Sequence, residues 1–346
     1  MADLGSDICA AVQQAYQRSE SIYIAAGGSK RHLVGRDCEA KPLEVSGHRG
    51  IVDYQPDELV LCARAGTPLR TLQDTLAEHN QVLPFDPPMF GGRATLGGTL
   101  ACNLSGPGRP WYGSIRDATL GVKLVNGKGE LLQFGGKVMK NVAGYDVSRL
   151  QAGALGTLGV ITEINLKVLP RPESSITLAY EMDAATALAT MNRRAVEPKP
   201  LSGACWFNGT LYLRLSGAAS AVGKTASIWG GSACAETETP WTGLREMDLP
   251  CFTGDAPLWR LACSPTHPLS DQQQILDWGG AQRWIRAKDQ EELAPGGAHL
   301  TLFAGGDRHA EVRGELDPVQ QALQKRLKDA FDPGGVLNPG RLYSWM

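Results

Sequence analysis

Sixteen of the 69 residues from Gly91 to Gly159 are glycine, nearly a quarter of the block where about 7% is ordinary. The block is not a linker, because the strand-like runs GVKLV (121–125) and GVITEINLKV (159–168) are threaded between the glycines. Glycine repeated beside strand ends lets backbone pass where side chains would not fit, or adopt φ values closed to other residues. Such a chain must fold around close main-chain approaches, and the simplest reason for them is a large flat ligand.

Composition narrows the remaining possibilities. At 346 residues with 42% hydrophobic and 20% charged residues, the chain is expected to be soluble and to form two domains. A net charge of −2 gives no basic field for nucleic acid. The most apolar runs, Leu59–Ala63 and Val160–Leu169, are strand-length, well short of the ~20 residues a spanning helix needs, so no transmembrane segment is expected. The start, MADLGSDICAAVQQAYQRSE, lacks the basic-then-apolar order of a signal peptide. A cytoplasmic location is expected, with docking at the inner face of the cell membrane left open. The eight cysteines (9, 38, 62, 102, 205, 234, 251, 263) are never closer than twelve residues apart. They read as free thiols, with no Cys-x-x-Cys to seed a zinc or iron–sulfur site. Histidines 32, 48, 79, 267, 299 and 309 show no ligand spacing, and no metal is expected.

Periodicity organises the rest. A helix is predicted over Ile8–Ser19, then the strand SIYIAAGG and the loop SKRHLVG. Thr67 and Pro68 read as N-cap and first helical residue of a helix whose Leu69, Leu72 and Leu76 share a face. GVKLVNGKGELLQF reads as a hairpin turned around Asn126-Gly127. Val160, Thr162, Ile164, Leu166 and Val168 alternate with Glu163, Asn165 and Lys167, the mark of a half-buried strand. Leu169-Pro170-Arg171-Pro172 is a natural boundary. Beyond it helices alternate with antiparallel-looking strands, as in a ferredoxin-like unit. A last helix, capped by Asp317-Pro318, carries the stripe Val319, Leu323, Leu327 and Phe331. The expected fold class is α+β, with domains at residues 1–170 and 171–310 and a helix and tail, 311–346, returning to the first.

Several motifs bear on chemistry. Ala26-Gly27-Gly28-Ser29-Lys30 follows a strand, and exposed amides, a hydroxyl and a cation suit a pyrophosphate. Such turns are common, and alone this one is weak. No G-x-G-x-x-G opens a helix, so an ordinary Rossmann site is not supported. Gly217 and Gly223 before Lys224-Thr225 are separated by five residues where a P-loop has four, so the segment reads as a plain helix. No nucleophile elbow supports Ser-His-Asp hydrolysis. The ligand of the glycine block is read as a flavin dinucleotide.

Taken in order, the Gly-Gly-Ser loop, AGTPLRTLQDTL, PFDPP, ATLGGTLACNLSGP, Tyr112-Gly113-Ser114-Ile115-Arg116-Asp117, GALGTLGVIT (153–162) and the closing FDPGGVLNPGR resemble the FAD-linked oxidase superfamily of the vanillyl-alcohol oxidase (PCMH) type. LWRLACSP (258–265), DWGGAQRWI (277–285) and GGAHLTLFAGGDR (296–308) are similar to the FAD-binding E subunits of bacterial glycolate oxidase. The resemblance implies a two-part FAD domain with a small cap. It implies pyrophosphate binding by Gly27, Gly28, Ser29 and Lys30, and backbone contacts to the dinucleotide from Thr95, Leu96, Gly97, Gly98 and Asn103. Tyr112, Gly113 and Ser114 are expected beside the flavin, and Gly156, Gly159, Val160 and Ile161 at the adenine–ribose end or the ring edge. Asn338 and Arg341 sit where the family's tail nears the isoalloxazine. Members that attach flavin covalently often carry a histidine in the first glycine loop. Here Ser29 and Lys30 stand there, so noncovalent FAD is expected.

Hydroxyacid oxidation needs a cation for the carboxylate and a base for the hydroxyl. Arg260, Arg283 and Arg341 are candidates for the first and His299 for the second, but no histidine–acid cluster like that of related hydroxyacid dehydrogenases is evident. Three readings remain open. The chain is the FAD subunit of a glycolate oxidoreductase working with a second flavoprotein subunit and an iron–sulfur subunit; or a self-sufficient dehydrogenase of a small hydroxyacid; or a catalytically silent flavoprotein that stabilises an assembly.

Overall fold

The alternation at Val160–Lys167 commits that strand to a sheet with one buried face, and the computed structural model places it at the centre of five antiparallel strands. Their order is Ile51–Gln55, Val60–Arg64, Val160–Lys167, Thr119–Val125 and Leu131–Gly135. Val160, Thr162, Ile164, Leu166 and Val168 are each at most 2% exposed, while Glu163 meets Lys123 at 2.8 Å on the opposite face. Ile164, Leu166 and Val168 share a core with Leu69, Leu72 and Leu76 of the helix Leu69–Glu78 and with Leu96 and Leu100 of the helix Leu96–Cys102. Each such buried side chain contributes about 1.5–3 kcal/mol.

The structure describes residues 3–137, 145–290, 293 and 296–346. The chain divides into two compact units, one of Met1–Leu104, Ser114–Pro170 and Arg308–Met346, the other of Ser105–Gly113 and Arg171–Asp307. Beside its main sheet the first unit pairs Ile22–Ala25 with Lys41–Glu44 in parallel, and Ile22 also bridges Leu337 of the C-terminal tail.

In the second unit, strand Ser174–Glu181, helix Ala184–Ala195, strands Leu201–Phe207 and Thr210–Gly217, helix Ala219–Trp229 and strand Ser232–Ala233 follow in the order βαββαβ. Numbering those four strands in sequence, the sheet runs 4-1-3-2 and antiparallel, a ferredoxin-like arrangement. The same sheet continues through Gln274–Asp277, Gln282–Arg286, Leu258–Ala262 and His299–Ala304 to reach eight strands. Of the segment Gly217–Thr225, Gly217 ends the strand Thr210–Gly217 and the part from Ala219 on lies in the helix Ala219–Trp229.

Two local readings need correction. Thr67 does not cap a helix by its side chain; the helix starts at Leu69 and Thr67 Oγ1 accepts from the Gly50 amide at 2.9 Å. The last helix, Pro318–Phe331, buries only the second half of its stripe: Leu327 and Phe331 are partly buried, Val319 and Leu323 are 69% and 52% exposed. Its anchor is polar. Lys328 Nζ donates to the carbonyls of Thr157 and Leu337, both at 2.9 Å, and to Asp332 at 2.6 Å. Asp332 in turn accepts from the amides of Val336 and Leu337.

His48 is 2% exposed and its Nδ1 accepts from the Leu4 amide at 3.0 Å, which fixes it as a neutral ring. Burial pushes its pKa below 6.5, outweighing the upward pull of Asp3. The unfolded chain therefore binds a proton near pH 6.5 that the folded one resists, and the stability from His48 is lost as pH falls through that value. Denaturation of the full chain between about pH 5 and 7 should show stability rising with pH, and His48→Gln should flatten that slope.

Candidate functional site: a glycine-walled cleft in the first unit

Three segments distant in sequence converge on one cleft: the strand and loop 23–31, the turn 155–161, and Asn338 with Arg341 of the tail. Asn338 ties them. Its amide donates to the Ile22 carbonyl, its Oδ1 accepts from the Ile24 amide at 2.7 Å, and its Nδ2 donates to the Leu155 carbonyl at 2.6 Å. Asn338 adopts φ +43°, a left-handed conformation that asparagine tolerates better than most residues.

The glycines are required by space. A Cβ on Gly27 would fall 1.8 Å from the Arg93 carbonyl oxygen, one on Gly97 2.6 Å from Ala65 Cβ, and one on Gly156 2.6 Å from Asn338 Nδ2. The amides of Gly27, Gly28 and Ser29 donate to no protein acceptor among the described residues. Unpaired main-chain donors clustered at a strand end form an anion cradle. Lys30 stands beside them, 6% exposed, its Nζ 3.2 Å from Ser29 Oγ and 5.5 Å from the Phe90 ring centroid.

The second glycine loop contributes differently. The amides of Leu96 and Gly97 are taken by the carbonyls of Thr67 and Ala65, and that of Gly98 by Thr95 Oγ1. What this helix start offers the cleft is the bare Cα surface of Gly97 and Gly98, a wall for a flat ring rather than a donor set. These features together fit a dinucleotide, with a diphosphate at open amides and rings against glycine surface.

Of the residues expected at a cofactor, Gly27, Gly28, Ser29, Lys30, Thr95, Gly97, Gly98, Gly156, Gly159, Ile161 and Asn338 line the cleft. Leu96 and Val160 are fully buried in core instead: on its strand Val160 points to the face opposite Ile161, and Leu96 packs with Leu69, Leu72 and Leu76. Asn103 caps the C-terminus of the helix Leu96–Cys102 at φ +50°. Ser114 is 2% exposed in a capping box with Asp117. Tyr112 and Gly113 belong to the second unit. Tyr23, Arg31, Glu44, Ala65, Cys102 and Leu155 also line the cleft; Ala65, Cys102 and Leu155 fall within the quoted motifs and Arg31 follows the first glycine loop, but the motifs mark none of the six as a cofactor contact. Burial pushes the Cys102 thiol up, which keeps it protonated and a poor nucleophile.

Among the side chains expected to meet a substrate, Arg341 alone lines the cleft, and its Nη atoms donate to the carbonyls of Arg36 and Arg31. Arg283, 1% exposed, donates to the carbonyls of His267 and Pro268. Arg260 lies over the Phe303 ring at 5.8 Å, and His299 is an exposed residue on the edge strand His299–Ala304. These last three belong to the second unit.

Comparison with known proteins agrees with this geometry. Residues 5–135 match the family described as FAD binding domain, and residues 304–342 the C-terminal domain of FAD linked oxidases. The chain is 42% identical over 343 residues to the glycolate oxidase subunit GlcE of Escherichia coli K12, covering 96% of this chain and 95% of that protein. It is 36% identical to a D-lactate dehydrogenase of Anaerostipes hadrus, over 93% of this chain and 84% of the other. The solved 4-ethylphenol oxidase of Gulosibacter chungangensis shares the fold, with a TM-score of 0.69 at 13% identity over 99% of this chain and 88% of that one. The cofactor is FAD, and the chain belongs to the GlcE family of FAD-linked oxidoreductases.

Proposed function

We propose that this chain is the FAD-binding subunit of a glycolate oxidoreductase, converting glycolate to glyoxylate with electrons leaving through FAD to a further acceptor. The observation that carries the reading is the near full-length similarity to GlcE; the open amides at Gly27–Ser29 supply its physical support. Bound FAD supplies a two-electron acceptor. The protein's own part is to hold the diphosphate on the Gly27–Ser29 amides and Lys30, to wall the rings with Gly97 and Gly98, and to fix the tail through Asn338. The partners we propose are a second flavoprotein subunit and an iron–sulfur subunit. A cytoplasmic location is part of the same proposal, and no helix among the described residues is long and apolar enough to cross a membrane.

Arg341 favours a second reading, a flavoprotein that stabilises the assembly without oxidising substrate itself. Its guanidinium is engaged with loop carbonyls and does not present the paired donors that clamp a carboxylate. Anaerobic glycolate added to the isolated chain and to the assembled complex separates the two. Bleaching of this chain's flavin supports oxidation here, whereas flavin that stays oxidised in both samples contradicts it. FAD is held noncovalently: acid precipitation should leave the yellow colour in the supernatant, and a yellow pellet would contradict this.

A further inference from the structure

Arg31, one residue past the glycine loop, is the one cleft cation that no motif assigns. Its guanidinium lies 5.3 Å over the Tyr23 ring and meets no carboxylate among the described residues. It borders both the cofactor cleft and a smaller adjoining cavity that also contains Asp37 and Glu39, and neither acid is within ion-pair distance of it. The other arginines nearby are committed to main chain. Arg341 donates to the Arg31 carbonyl at 2.6 Å, Arg36 to the carbonyls of His309, Ala310 and Gly340, and Arg313 to that of Val34 at 3.2 Å. These contacts hold the loop 31–36 from behind, so Arg31 leaves a fixed backbone with its donors open.

We propose that Arg31 closes the diphosphate subsite, adding a second cation to Lys30 and the amides of Gly27–Ser29. The inference rests on the FAD reading above and deepens it: it names a binding residue and the chemical group it recognises, the diphosphate. Two features argue for an anion here. The amides of Gly27, Gly28 and Ser29, two to four residues before Arg31, donate to no acceptor among the described residues, and a planar guanidinium matches phosphate oxygens in pairs.

The test uses the full chain freed of flavin and reads FAD affinity by flavin fluorescence at several salt concentrations. Arg31→Ala should weaken FAD about 10- to 100-fold, and its affinity should depend less steeply on salt than that of the unmodified chain. Arg31→Lys, which keeps the charge, should keep the salt dependence and lose less affinity. The apo chain's melting temperature should be the same in all three. Arg31→Ala binding FAD like the unmodified chain would overturn the proposal while leaving the FAD reading intact. So would a loss of affinity with an unchanged salt dependence, which would mark a purely structural role. An unmodified chain that binds no FAD would overturn both.

Discussion

Gly27→Ala is expected to weaken FAD binding by about 10- to 100-fold while the second unit keeps its fold. The added Cβ would sit 1.8 Å from the Arg93 carbonyl oxygen and 3.4 Å from Thr95 Cγ2. Backbone cannot yield there as a side-chain tip can, so the loop must move, and with it the amides of Gly28 and Ser29. Gly28→Ala is the contrasting case. Gly28 has φ +67°, and an added methyl there would meet no protein atom within 4 Å, so within the protein it adds the left-handed penalty of about 1–2 kcal/mol and does not displace the loop. Equilibrium FAD titration of the two variants should rank them in that order, and equal affinities would contradict the close-approach argument.

The second large effect is on stability. Lys328→Met removes the cation from a carboxylate whose side chain is 0% exposed, and breaking such a pair from one side costs about 3–5 kcal/mol. Asp332 also organises the amides of Val336 and Leu337, just before Asn338 enters the cleft, so FAD affinity should fall as well. Gly127 has no room to adjust, since a Cβ there would lie 2.1 Å from Asp332 Oδ1. Chemical denaturation of the full chain reads the loss directly. The double variant Lys328→Met with Asp332→Asn should recover part of it, because no unpaired charge then remains buried. A Lys328→Met chain as stable as the unmodified one would show that the pair does not hold the tail.

The glycine block and the alternation at Val160–Val168 make the first unit legible, because both patterns follow from close approach and a two-residue repeat. The ferredoxin-like half of the second unit is legible for the same reason, while its continuation to eight strands has no local signal: partners such as Trp206 and Leu276 are joined only by tertiary pairing. At the cleft the glycine loops can be read from the sequence. Which neighbour of a glycine turns inward cannot, and so the motifs put Leu96 and Val160 at the cofactor when they lie in core. The polar anchor at Lys328 escapes too, because a lysine in a helical stripe looks like a solvated face until Asp332 and two carbonyls are brought to it by the fold. Arg341 carries the opposite lesson: a cation at the right place in a motif spends its donors on the loop that carries Lys30 and Arg31.

The most direct test of the central claim is the absorbance spectrum of the purified full chain, before and after reconstitution with FAD and removal of the excess. The account predicts the two bands of oxidised flavin and FAD released in equimolar amount on denaturation. A chain that stays colourless after reconstitution would contradict it.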